Sequence, residues 1–97
     1  MNTRSYELVY ILKPNLDDEA KEAVFNKVKD LIAVNGEISS VDTWGNRKLA
    51  YPIKKFNEGF YNLVNFTGGN DVISEIDRNL KIMDSVIRHM IVRKDEK

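Results

Sequence analysis

The stretch Arg4-Ser5-Tyr6-Glu7-Leu8-Val9-Tyr10-Ile11-Leu12, followed by Lys13-Pro14-Asn15-Leu16 and then Asp17-Asp18-Glu19-Ala20, decides the fold. Across Pro14 the hydrophobic period changes from two to 3.6. Before it, Tyr6, Leu8, Tyr10 and Leu12 share one face of a strand and Glu7, Val9 and Ile11 the other. Pro14 ends the strand because it has no N–H for the ladder. After it, Ala20, Val24, Val28, Leu31 and Ile32 recur at helical spacing with Phe25 beside them, predicting a helix over 17–35. Asp17, Asp18 and Glu19 suit its positive N-terminal end. Asn35-Gly36 is expected to stop it through a left-handed glycine.

The rest of the chain continues the pattern. A second strand is expected over 37–51, interrupted at Gly45-Asn46 by a bulge and placed at a sheet edge by Pro52. Residues 54–59 read as a polar hairpin loop. A third strand over 60–67 has Phe60, Val64 and Phe66 on one face and Tyr61 and Leu63 on the other. Gly68-Gly69 is a turn, and Asn70 is expected to cap a second helix over 71–81 with Val72, Ile73, Ile76 and Leu80 as its stripe. A last strand over 86–92 should turn Ile87 and Ile91 one way and Val86, Met90 and Val92 the other. The order β-α-β-β-α-β predicts an α+β, ferredoxin-like fold, a four-stranded antiparallel sheet with two helices on one face. Leu8, Val28 and Phe66 are the expected core. Residues 1–97 read as one domain with a short charged tail at 93–97. Val9, Ile11, Tyr61 and Leu63 leave the second sheet face partly apolar, which a covering partner would explain.

Composition narrows the function classes. The 97 residues include no Cys, which removes disulfides, thiolate metal sites and a cysteine nucleophile. No apolar run reaches membrane-span length, and the start of the chain is not patterned as a signal peptide. His89 is the one histidine, so no nucleophile–base–orienter set is visible and no enzyme is expected. Asp17-Asp18-Glu19 do not converge on a metal, and Gly68-Gly69 lacks the Lys-Ser/Thr of a phosphate loop. No cofactor is expected.

The formal net charge is zero, with 15 basic and 15 acidic residues. Its distribution is uneven. Residues 45–56 carry Arg47, Lys48, Lys54 and Lys55 and no acid, and residues 87–97 carry a net +2. Residues 1–44 and 57–86 are each net −3. Cations therefore gather on the second hairpin and last strand, and acids mainly on the helices. In Trp44-Gly45-Asn46-Arg47-Lys48-Leu49-Ala50-Tyr51-Pro52-Ile53-Lys54-Lys55 the basic groups lie next to aromatics, a combination that can bind phosphate and stack on bases. Packing roles for Trp44 and Tyr51 fit the same residues.

This run resembles a known family. Gly45-x-Arg47-x-Leu49-Ala50-Tyr51-Pro52-Ile53 is similar to the signature of the bacterial small-subunit ribosomal protein six family. So are Tyr6-Glu7, Lys13-Pro14-x-Leu16, the glycine before the second strand, Gly59-Phe60-Tyr61, Leu80-Lys81-Ile82 and Asp84-x-Val86-x-Arg88-x-Met90. The resemblance spans nearly the whole chain. It implies a non-catalytic, cytoplasmic constituent of the 30S ribosomal subunit. It further implies binding to the central domain of 16S rRNA as a heterodimer with small-subunit ribosomal protein eighteen, from a protein monomeric in isolation. On the same basis Arg47, Tyr51, Lys54, Arg88 and Arg93 are the expected RNA-contacting or supporting residues, with Arg4, Lys48, Lys81 and Lys94 behind them. His89 and Met83 depart from the pattern and receive no role.

Two other classes use the same element order. An RNA-recognition motif shares the topology, but its third-strand signature is absent: Glu58-Gly59-Phe60-Tyr61-Asn62 puts an acid, a large aromatic and an amide at the deciding positions. A small-molecule-binding regulatory ferredoxin-like module, dimerising through its sheet, is permitted by the fold alone.

Overall fold

A computed structural model describes residues 4–53 and 55–94, with Ile53 described by its backbone alone. The elements run β1 (Arg4–Leu12), α1 (Asp18–Ala33), β2 (Gly36–Ile53), β3 (Phe56–Gly68), α2 (Asn70–Ile82) and β4 (Val86–Arg93). The four strands form one antiparallel sheet in the order β2-β3-β1-β4. This is the ferredoxin-like arrangement that the element order predicts, with the Pro52-bearing strand at an edge.

The alternation in β1 sets the core. Tyr6, Leu8, Tyr10 and Leu12 are buried on the helix side, opposite Phe66, Val64, Asn62 and Phe60 of β3. Val24, Val28 and Ile32 of α1 and Val72, Ile76 and Leu80 of α2 close over them. The Tyr6 and Phe66 rings stack with centroids 5.6 Å apart. Asn62 is the buried polar residue in this layer, and Thr43 Oγ1 donates to its Oδ1 at 3.3 Å. Burial pushes the Tyr10 phenol up to about 12.

Several local expectations are corrected. Asp17 caps α1 from outside it, its carboxylate accepting from the Ala20 N–H at 2.8 Å. Gly36 is not left-handed. It opens β2 opposite Gly68, where an added Cβ would run into the Thr67 carbonyl oxygen, so close backbone approach requires the glycine. Asn70 does not cap α2. Gly69 is the N-cap with no side-chain bond, and Asn35 Nδ2 donates to the Asp71 carboxylate at 3.0 Å instead. The 54–59 loop is much shorter than expected: Ile53 already pairs with Phe56, with Lys55 at φ 73° between them. The face assignment in β4 also changes. Ile11 pairs with Arg88 but Leu12 with Val86, so Ile87 is an extra residue in a bulge. Val86 and Ile91 therefore join the helix-side core, while Arg88, Met90 and Val92 lie on the open face.

Two measurements check this account of the core. Leu8→Ala or Phe66→Ala lowers the unfolding free energy by roughly 2–5 kcal/mol in urea titrations, because each leaves a void at a fully buried site. Tyr10 acts on the alkaline side. Its folded pKa lies above the unfolded value of 10.0, so its contribution is intact below pH 10 and is lost as pH rises toward about 12. That loss amounts to roughly 2–3 kcal/mol. Tyr10→Phe flattens this part of the stability–pH curve.

Candidate nucleic-acid interface

The helices cover one side of the sheet, so the other side is open. Register places Glu7, Val9 and Ile11 of β1, Tyr61, Leu63 and Asn65 of β3, and Arg88, Met90 and Val92 of β4 on it. β2 adds Asp42, Gly45 and Arg47 opposite Leu63, Tyr61 and Gly59.

Two irregularities in β2 shape the hairpin end of this face. First, Thr43 pairs with Asn62 and Gly45 with Tyr61, leaving Trp44 as the extra residue of the expected bulge. Gly45 takes φ 82°, which glycine tolerates and other residues resist. The result turns the Trp44 ring onto Tyr61, with centroids 6.1 Å apart and planes within 15°. The Arg47 guanidinium stands 5.9 Å from the Trp44 ring, and its Nε donates to the Trp44 carbonyl at 3.3 Å. An arginine, an indole and a phenol thus lie in a row, with Trp44 46% exposed.

Second, Lys48 pairs with Glu58 and Ile53 with Phe56, so Leu49, Ala50, Tyr51 and Pro52 all fall opposite Asn57 alone. This excursion leans over the open face. Leu49, Ala50 and Tyr51 line a groove of about 300 Å³ with Val9, Ile11, Tyr61, Arg88 and Met90. Arg88 Nη1 donates to the Tyr51 hydroxyl at 3.4 Å across its rim. Exposed Trp44, Tyr51, Met90 and Val92 give this face a concentration of apolar surface that a monomer would normally cover.

The nine candidate residues do not form one cluster. Arg88 and Tyr51 meet at the hairpin end of the open face, and Arg47 lies at the same end on the opposite edge strand, against Trp44. Lys81, on the last turn of α2, joins Arg88 around the β4 edge, where both line a groove with His89. Lys48 lies on β2 opposite Glu58. Arg4, Arg93 and Lys94 sit at the far end of β1: Arg4 pairs with Gly68, Arg93 with Tyr6, and the Lys94 N–H bonds the Ser5 carbonyl. Arg93 belongs by register to the helix side, not the face that carries Arg88. Lys54 lies outside the described residues, as do positions 95–97 of the charged tail.

His89 has a partner that the sequence did not reveal. Its Nε2 lies 2.8 Å from Asp77 Oδ1 of α2, tying helix to strand. The neighbouring His89 ring holds the Asp77 carboxyl below the usual carboxylate range. Alternation from Ile91 places His89 on the helix side, but its partner lies on α2, twelve positions away in sequence, and no local pattern announces it.

The family model described as Ribosomal protein S6 matches residues 5–93. The chain is 66% identical over 89 residues to the small ribosomal subunit protein bS6 of Clostridioides difficile strain 630, covering 92% of this chain and 97% of that protein. It is 57% identical over 88 residues to the bS6 protein of Alkaliphilus oremlandii, covering 91% and 94%. The crystal structure of 30S ribosomal protein S6 from Thermotoga maritima superposes with a TM-score of 0.89 at 33% identity, covering 97% of this chain and 90% of that one.

The bulge at Trp44 has a direct test. A side chain at position 45 meets nothing within 4 Å, so Gly45→Ala reports backbone conformation alone. The substitution costs roughly 1–2 kcal/mol in urea unfolding. It also shifts the emission of Trp44, the protein's one tryptophan.

Proposed function

The chain belongs to the bacterial small-subunit ribosomal protein six family and is a non-catalytic constituent of the small subunit of the cytoplasmic ribosome; from that premise we propose that it binds the central domain of 16S rRNA together with small-subunit ribosomal protein eighteen. The observation that carries this reading is the character of the open sheet face. It is apolar and aromatic where it should be solvated, and it is edged by Arg47 and Arg88 at one end.

The two kinds of surface suit two kinds of partner. Arginine binds phosphate bidentately and stacks on bases, and the Arg47–Trp44–Tyr61 row offers both at once. Arg88, Tyr51, Lys54, Arg93 and, behind them, Arg4, Lys48, Lys81 and Lys94 extend the RNA-facing set. Mid-sheet, Val9, Leu63, Met90 and Val92 lie beside Glu7 and Asp42. An apolar patch with carboxylates suits a basic protein, and a carboxylate-bearing patch repels RNA. The protein partner therefore takes the middle of the face and RNA its ends. No observation favours the regulatory-module alternative.

Three measurements test the proposal. In sucrose gradients the tagged protein co-migrates with 30S particles; sedimentation apart from them overturns the reading. Alone, the protein binds a central-domain rRNA fragment weakly, and adding the partner raises both affinity and salt dependence. Arg47→Ala and Arg88→Ala weaken the ternary complex by about 1–3 kcal/mol each. Both residues are exposed, so the unfolding free energy changes by about 0.5 kcal/mol or less.

A further inference from the structure

A third irregularity in β2 lies at the opposite end of the sheet, away from the basic hairpin. Ile38 pairs with Phe66 and Ser40 with Asn65, so Ser39 is the extra residue of another bulge in β2. Two consecutive serines thereby border the same opening. The groove there measures about 400 Å³, larger than the apolar groove of the open face, and is lined by Ser5, Ser39, Ser40, Asn65 and Lys94 over the buried Tyr6–Phe66 stack.

Its polar groups are already organised. Lys94 Nζ donates to Asn65 Oδ1 at 2.9 Å, and Asn65 Nδ2 donates to Ser40 Oγ at 3.0 Å. The Lys94 N–H is bonded to the Ser5 carbonyl at 2.8 Å, which fixes where that side chain starts. Ser40 Oγ accepts within this chain, so its own proton is left to donate outward. The ammonium spends one of its three N–H groups on Asn65 and keeps two. Among the described residues Lys94 makes no ion pair. Among the described residues no carboxylate lines the groove; Glu7 and Glu37 are near in sequence and register but do not border it. A positive charge with hydroxyl donors around it, in a solvent-open groove, matches a phosphodiester and not an apolar ligand.

We propose that the Ser39, Ser40, Asn65 and Lys94 groove is a second RNA contact that seats a backbone phosphate, with Lys94 and the Ser40 hydroxyl donating to its non-bridging oxygens. This rests on the rRNA-binding reading above and adds to it a site of defined chemistry. The contact is to backbone, so it positions the RNA without selecting a base.

The test is filter binding of a central-domain rRNA fragment by the protein with its partner, at several salt concentrations. Lys94→Gln reduces affinity several-fold and lowers the slope of log K against log salt by about 0.9, since one phosphate contact is lost. Ser39→Ala/Ser40→Ala, which removes hydroxyls but no charge, reduces affinity about two- to fivefold at unchanged slope. All three positions are exposed, and thermal melts of each variant confirm the fold. Wild-type binding with unchanged affinity and slope in both variants overturns the groove alone. Absence of rRNA binding by the wild-type pair overturns the groove and the reading beneath it.

Discussion

Two helices cover only one face of a four-stranded sheet, and that asymmetry governs the rest of this molecule. β1 lies between β3 and β4, so its alternating residues must be divided between a helix-covered side and an uncovered one. Tyr6, Leu8, Tyr10 and Leu12 take the first side and build the core with α1 and α2. Val9 and Ile11 take the second and are apolar there too, Val9 half-buried and Ile11 buried beneath its neighbours. An antiparallel sheet that faced water would carry polar residues at those positions. The hydrophobic effect thus supplies both the stability of the domain and a reason for its open face to meet another molecule.

Bulges adapt this simple layer to recognition. A regular β2 would alternate its side chains between the faces without interruption. Instead Ser39 and Trp44 are inserted as extra residues, and Leu49–Pro52 depart from the ladder altogether. Each irregularity changes which groups meet: paired serines beside Lys94, an indole on Tyr61, and Tyr51 against Arg88. All three lie on an edge strand, where extra residues disturb one neighbouring strand instead of two.

The parts legible in the sequence are those carried by local periodicity. The alternation in β1 and the stripes of both helices follow directly from burial on one side, and Gly45 marks its bulge because few other residues accept its conformation. Features that depend on a neighbouring strand were not legible. Gly36 is needed because of the Thr67 carbonyl, thirty-one positions away in sequence, not because of its own torsions. Asn35 reaches Asp71 instead of Asn70 capping its helix. In β4 no turn residue announces the bulge at Ile87, so a strict count of two puts Val86 on the wrong face. The contact of His89 with Asp77 joins a strand to a helix, so no periodicity within β4 could reveal it. Among the candidate site residues, charge density along the chain located the cations, but only the register separates Arg88 from Arg93.

That separation bears on how a protein of zero net charge meets RNA. Arg88 pairs with Ile11 near one end of β1, and Lys94 bonds Ser5 near the other. Six residues of extended chain separate those two β1 positions, about 20 Å at strand rise. Between them on the open face lie Glu7 and Asp42, whose charges oppose phosphate at close range. A cationic surface divided in this way grips RNA poorly as a single patch, because each end must act largely alone across screened distances beyond a Debye length of about 8–10 Å. On the proposed reading, a basic protein seated on the middle neutralises Glu7 and Asp42 and joins the two ends into one continuous positive surface. Glu7 and Asp42 are then the acids that make room for the partner, while most of the chain's other carboxylates lie on the helices, away from this face.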